Sequence, residues 1–250
     1  DQPTAVPFLV FNPHPFSYYG PVELEAQLDW RPIRGYTGFR AAEVPIEVRG
    51  ADGKPRAFQR ISPENRAMTD LVWRVRLVVP VELAAGGWEI LTVQYRELPE
   101  RVKPVSSVGQ SDSGSITNGD LTVTACLGAA GMQVLRQGKA LLAGEGIGVW
   151  LYDDPYGAWG GLLEEPDSIF LTKVRERWSI AETRVLECGP ELARLWVKLA
   201  GANSRLDLTI SLYRGSPAIH VAGRLFLDER SARVKLLLPG VVGRAVFEVP

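Results

Sequence analysis

Apolar and polar residues alternate with a period of two along much of this chain, and that pattern limits what it can fold into. Val22, Leu24, Ala26, Leu28 and Trp30 alternate with Glu23, Glu25, Gln27 and Asp29. Trp73, Val75 and Leu77 alternate with Arg74 and Arg76, and Leu121, Val123, Ala125 and Leu127 with Thr122, Thr124 and Cys126. The pattern returns at Leu195, Val197 and Leu199, and again at Leu206, Leu208, Ile210 and Leu212. Successive side chains of a strand point to opposite faces, so each segment predicts a strand with one face on a core and one in water. This is the signature of antiparallel sheets, because parallel sheets buried under helices read as unbroken apolar runs. Turn signals separate the segments at Asp52-Gly53, Asn118-Gly119, Gly128, Gly189-Pro190 and Gly215-Ser216-Pro217. One short helical turn is expected around residues 63–67. The predicted class is all-β, built from antiparallel β-sandwiches.

A chain of 250 residues can bury one large core or two smaller ones. A compositional break decides for two. Residues 98–115 carry Pro99, Pro104, Gly109 and Gly114 with five serines and several charges, too little apolar content to pack. The expected organisation is a small antiparallel β-sandwich at residues 1–100, a linker at 101–115, and part of a larger β-sandwich at 116–250.

The net charge of -1 gives no bulk attraction to nucleic acid or to an anionic membrane. No apolar run approaches the roughly 20 residues of a membrane-spanning helix. No leader pattern opens the chain, so a signal peptide is expected to be absent or removed. Cys126 and Cys188 match no metal-binding spacing, and free thiols in a reducing compartment are the expectation. Arg outnumbers Lys heavily, which with much Ala, Gly and Leu suggests a GC-rich bacterial gene. The expected location is the bacterial cytoplasm.

The residues that could carry chemistry are few. His14 lies between two prolines, and His220 alternates with Ile219 and Val221 as a solvent-side strand residue. Neither has carboxylates at ligand spacing, so neither a structural nor a catalytic metal site can be assembled. Asp153 and Asp154 are adjacent, so on a strand they would point to opposite faces rather than act as a carboxylate pair. Asp154-Pro155-Tyr156-Gly157 fits a turn. Trp150, Tyr152, Tyr156 and Trp159 could stack on a sugar ring, and core packing is the competing role for Trp150 and Trp159. Glu164-Glu165 and Arg175-Glu176-Arg177 fit solvated surface strands. Ser216 has no readable triad partner, and no phosphate loop or basic aromatic-interleaved face appears.

Several of these segments occur in the order found in one enzyme family. Phe8-Leu9-Val10-Phe11-Asn12-Pro13-His14-Pro15-Phe16 resembles the entry to the small β-domain of family 38 glycoside hydrolases, the retaining α-mannosidases. Ile116-Thr117-Asn118-Gly119-Asp120-Leu121-Thr122-Val123, leading to Trp150 and on to Asp154-Pro155-Tyr156-Gly157-Ala158-Trp159, resembles the start of that family's larger β-domain. The stretch from Arg214-Gly215-Ser216-Pro217 through Asp228-Glu229-Arg230 to Lys235-Leu236-Leu237-Leu238-Pro239 is similar to the strand pair that follows. Leu227-Asp228-Glu229-Arg230 lacks the family's usual Trp, Leu238 stands where Phe is common, and Gly157 occupies a place often acidic.

The resemblance implies a galactose-mutarotase-like large sandwich. It also implies that the chain is an excised, non-catalytic C-terminal β-region. Its expected partners are the parent's own catalytic barrel and helical bundle, and an α-mannoside substrate. Zinc or another divalent metal, and both catalytic carboxyl groups, would belong to that barrel, so no catalytic residue and no cofactor is assigned here. Trp150 is the residue that aligns with the family's substrate-reaching aromatic. Trp150, Asp154, Tyr156 and Trp159 are therefore the expected substrate-binding residues. A cut sheet would expose an edge through which copies could associate. A stand-alone carbohydrate-binding or adhesive sandwich is the alternative, and a structural domain of another β-rich carbohydrate enzyme is a third.

Overall fold

The computed structural model describes residues 5–28, 39–62, 73–96, 114–155 and 173–240. They form antiparallel strands and one 3-10 turn at Ala41–Glu43, with no α-helix among the described residues. The turn expected at 63–67 lies outside them, as do Trp30, Tyr156, Trp159 and Glu164-Glu165. The chain divides into two compact units. The first comprises Asp1–Gly109, Glu187–Leu192 and Tyr213–Ser216, and the second comprises Gln110–Leu186, Ala193–Leu212 and Pro217–Pro250.

The first unit holds β1 (Ala5–Phe11), β2 (Tyr18–Gln27), β3 (Ile46–Gly50), β4 (Pro55–Arg56), β5 (Gln59–Ile61), β6 (Arg74–Leu83) and β7 (Trp88–Tyr95). One sheet runs β1-β7-β3-β4 and the other β2-β6-β5. Leu24, Ala26 and Leu28 of β2 and its extension meet Val75, Leu77 and Val79 of β6, Ile46 and Val48 of β3, and Leu91 and Val93 of β7 in one core. Leu24, Ala26, Leu28, Val75 and Leu77 are apolar positions of the alternation, and burying one such Leu or Val stabilises by about 1.5–3 kcal/mol. β6 departs from strict alternation, because Leu77, Val78 and Val79 are all buried. Its second face is covered at Val78 by Ile61, Leu192 and Tyr213. Asn12 is also buried, and it ties the turn after β1. Its amide donates to the carbonyls of Phe16 at 2.8 Å and Ala84 at 2.9 Å, and its oxygen accepts from the His14 amide at 3.1 Å.

The remaining strands lie in the second unit, apart from Glu187, Cys188, Leu192 and Tyr213 at strand ends, which belong to the first: β8 (Gly114–Thr117), β9 (Leu121–Ala125), β10 (Gly131–Arg136), β11 (Lys139–Ala140), β12 (Ile147–Asp153), β13 (Val174–Arg177), β14 (Ser179–Cys188), β15 (Leu192–Ala200), β16 (Arg205–Tyr213), β17 (Ile219–Phe226) and β18 (Ala232–Leu237). One sheet runs β13-β12-β10-β9-β8, with β11 on β10 and β18 on β12, and the other runs β14-β15-β16-β17. Residues of both sheets share a core that includes Val123, Met132, Val149, Trp178, Leu195, Val197 and Ile210. The β8–β9 turn is the expected Asn118-Gly119. Gly119 has φ 93°, and the Asn118 carboxamide oxygen accepts from the amides of Asp120 at 3.1 Å and Leu121 at 2.8 Å.

Two details differ from the pattern-based expectation. Strand β8 begins at Gly114, so the last two residues of the expected linker are paired, Gly114 with Ala125 and Ser115 with Thr124. Composition reports side-chain packing and is blind to backbone pairing of this kind. Leu127, expected on the core face, is 69% exposed, because β9 ends at Ala125 and the chain turns at Gly128 with φ 79°. Cys126 and Cys188 are exposed and unbridged.

Candidate functional site

Strand β12 supplies two faces by the period of two. Ile147 and Val149 enter the core. Trp150 and Tyr152 take the other face, with Asp154 just beyond the strand. The flanking strands decide what surrounds them. β13 places Arg177 opposite Trp150, and β18 places Lys235 opposite Trp150 and Arg233 opposite Tyr152. The Arg177 guanidinium lies 4.5 Å from the Trp150 ring centroid, and the Lys235 ammonium lies 4.5 Å from that of Tyr152. The two rings are 6.1 Å apart and tilted by 35°. A cation over an aromatic face is attracted by the ring quadrupole, worth about 0.5–2 kcal/mol with increasing desolvation. Trp150 is half-buried and outside the core cluster, which favours an outward role over core packing for this residue.

At the end of β12 the two aspartates are paired with cations. Asp154 is buried, and its carboxylate meets Arg233 at 2.8 Å while its amide donates to the Ser231 carbonyl at 2.9 Å. Asp153 accepts from Lys173 and Arg175, both at 2.6 Å. Arg175 also donates to the carbonyls of Arg230 at 3.1 Å and Ser231 at 2.8 Å, and lies 3.4 Å from Glu229. The Arg175-Glu176-Arg177 run is thus more than a solvated face. Glu176 accepts from the Ala202 amide at 2.8 Å, and Arg177 covers Trp150. A bulge between Leu151 and Tyr152 shifts the β12–β13 register.

The hydrogen bonds from Lys173 and then Arg175 hold the Asp153 carboxyl below its ordinary value of 3.8. A depressed carboxylate pKa contributes stability that is present above 3.8 and is lost as pH falls through the folded value. Asp153→Asn is therefore expected to lower stability at neutral pH and to converge on the parent as pH falls below 3.8, which flattens the acid limb of the stability curve. Equal acid sensitivity in the variant and the parent would refute this.

Of the four sequence-expected sugar contacts, Trp150 and Asp154 lie at this end of β12, and Tyr156 and Trp159 lie outside the described residues. Sequence reasoning missed Arg177, Arg233 and Lys235. The available signal was basic residues two apart, at Arg175 and Arg177 and at Arg233 and Lys235, but pairing with β12 could not be read from it. His14 and His220 are both exposed, in the turn after β1 and on β17. Among the described residues no three His, Cys, Asp or Glu side chains converge as metal ligands. No step is assigned to a metal within this chain.

No family model and no curated protein sequence matches the chain. A solved structure does. The crystal structure of a glycosyl hydrolase family 38 protein from Enterococcus faecalis superposes with a TM-score of 0.60 at 14% identity, over 94% of this chain. The fold resembles part of a family 38 glycoside hydrolase. The chain spans 33% of that structure's length, and at this identity the likeness concerns the fold. The all-β antiparallel architecture expected from the alternation is the one observed.

Proposed function

We propose that this chain is a non-catalytic β-region of an α-mannosidase-like retaining glycoside hydrolase. It would support a catalytic barrel carried elsewhere in the same polypeptide and contribute minor contacts to an α-mannoside. The observation that supports this most is the fold likeness over 94% of the chain to one third of a family 38 protein. The β12 face fits the accessory part of the role. Trp150 offers an amphipathic ring at the sheet surface, and the Asp154–Arg233 pair fixes the start of the segment leading to Tyr156 and Trp159. Catalysis with retention needs two carboxyl groups about 5 Å apart. In this reading they belong to the barrel, as does the divalent metal.

The complete reading frame tests the proposal. Expressed whole, it is expected to hydrolyse an aryl α-mannoside in a metal-dependent manner, whereas residues 1–250 alone are expected to give no turnover with or without zinc. A frame that encodes no metal-binding barrel, or turnover by the isolated chain, would sink it. In the whole enzyme Trp150→Ala is expected to raise KM more than it lowers kcat.

A further inference from the structure

Strands β1 and β7 pair with Phe8 opposite Leu91 and Leu9 opposite Ile90, so the two faces of this sheet are chemically distinct. Phe8, Val10, Leu91 and Val93 line the core. On the opposite face Leu9 sits across from Ile90 and Phe11 across from Trp88. These four are 69%, 37%, 56% and 63% exposed. They form a two-by-two apolar block rather than scattered surface residues. Pro7 and Thr92 follow along the strands, and beyond them the same sheet turns polar. Glu47 and Arg49 of β3 pair with each other at 2.8 Å, and Gln94 donates to Glu47 at 2.5 Å. A contiguous apolar patch of this kind, unlike singly scattered apolar residues, is often functional.

The size of the patch selects the occupant. At these exposures the four side chains leave on the order of 450 Å² uncovered, taking roughly 200 Å² for each full side chain. Two copies meeting face to face would bury about 900 Å², short of the roughly 1,200 Å² of a stable free complex. The same area suffices for domains of one polypeptide, whose interfaces run from about 600 Å². Tethering supplies an effective concentration near the millimolar range, so less contact energy is needed. The structural relative is about three times as long as the part matched here, which leaves two thirds of such a polypeptide to provide the partner.

We infer that the outer face of β1 and β7, centred on Leu9, Phe11, Trp88 and Ile90, is the docking surface for another domain of the same polypeptide. The partner surface is apolar and rigid. This rests on the reading of the chain as one region of a longer hydrolase, but it concerns a different surface from the β12 face and can fail separately.

Hydroxyl-radical footprinting of the complete gene product against the isolated chain tests it. Oxidation of Trp88 and Phe11 is expected to be largely lost in the complete product. The pair Phe11→Lys with Trp88→Glu, which places opposite charges across the strands, is expected to lower the melting temperature of the complete product. In the isolated chain it should leave the melting temperature and sedimentation coefficient unchanged. Equal oxidation in both forms would overturn the inference, as would self-association of the isolated chain that the double substitution abolishes. A gene product no longer than this chain would overturn it as well. Aryl α-mannoside hydrolysis reads the functional proposal independently. Protection without hydrolysis would sink that proposal and keep the docking face, and hydrolysis without protection would do the reverse.

Discussion

Trp178→Ala is expected to destabilise the second unit by about 4 kcal/mol, within the range for truncating a buried Trp in a core. Trp178 lies between β13 and β14 and is fully buried. It is the largest such side chain in the core shared by the two sheets. Its backbone amide donates to the Val149 carbonyl at 2.9 Å, so both the ring and the chain that carries it are fixed. The indole nitrogen has no hydrogen-bond partner. The ring therefore contributes through packing, and Trp178→Phe, which keeps an aromatic ring, is expected to cost only about 1–2 kcal/mol. Gly201 makes room for the indole: a Cβ there would collide with Trp178 and Glu176. Gly201→Ala should consequently be destabilising although alanine suits most backbone positions. Urea denaturation with hydrogen exchange on the amides of β14 to β16 measures all three. A cost below about 1 kcal/mol for Trp178→Ala would show that the core relaxes around the loss, contrary to close packing.

The second large effect is expected at Gln59→Leu in the first unit, with a loss of about 3 kcal/mol. Gln59 is buried on β5. Its carboxamide oxygen accepts from the amides of Glu191 at 2.9 Å and Leu192 at 2.7 Å, and its nitrogen donates to the Leu192 carbonyl at 3.0 Å. Leucine keeps most of the shape but leaves the amides of Glu191 and Leu192 without the Gln59 acceptor, while the Leu192 carbonyl keeps the Gly189 amide at 3.1 Å; a stranded buried polar group costs about 1–3 kcal/mol. Nearby, Glu187 accepts from the Ser62 amide at 2.8 Å and Glu191 faces Arg214 at 3.3 Å. Segments far apart in sequence are thus joined by polar contacts as well as by Ile61, Val78 and Leu192. Thermal denaturation, with exchange rates of the residue 191 and 192 amides, checks the prediction. Unchanged exchange at those amides would mean that other groups replace the lost bonds.

The legible parts of this molecule were those governed by local periodicity. Leu24, Ala26 and Leu28, Val75 and Leu77, and Leu206 to Leu212 are buried where the alternation put them. Asn118-Gly119 turns where only a glycine readily takes φ 93°. Val78 and Leu127 defied the pattern for opposite reasons. A neighbouring cluster covers the second face of β6 at Val78, and β9 stops one pair before Leu127. The candidate site was only half legible. Trp150 and Asp154 drew notice as an aromatic and an acid near a turn. Arg177, Arg233 and Lys235 did not, because their relation to β12 is a matter of register across strands that are not adjacent in sequence.

The sequence by itself determined the all-β class, the antiparallel pairing and the inner face of most strands, because side-chain period and turn chemistry act within a few residues. Tertiary structure alone decided the rest. It placed cations from β13 and β18 over the rings of β12, gave Asp154 to Arg233, and put Gln59 against the backbone of Glu191 and Leu192. It also assembled Leu9, Phe11, Trp88 and Ile90 into one exposed patch. Each of these depends on which distant strands become neighbours and in what register. That choice is made by the packing of the whole sheet and leaves no short-range trace in the chain.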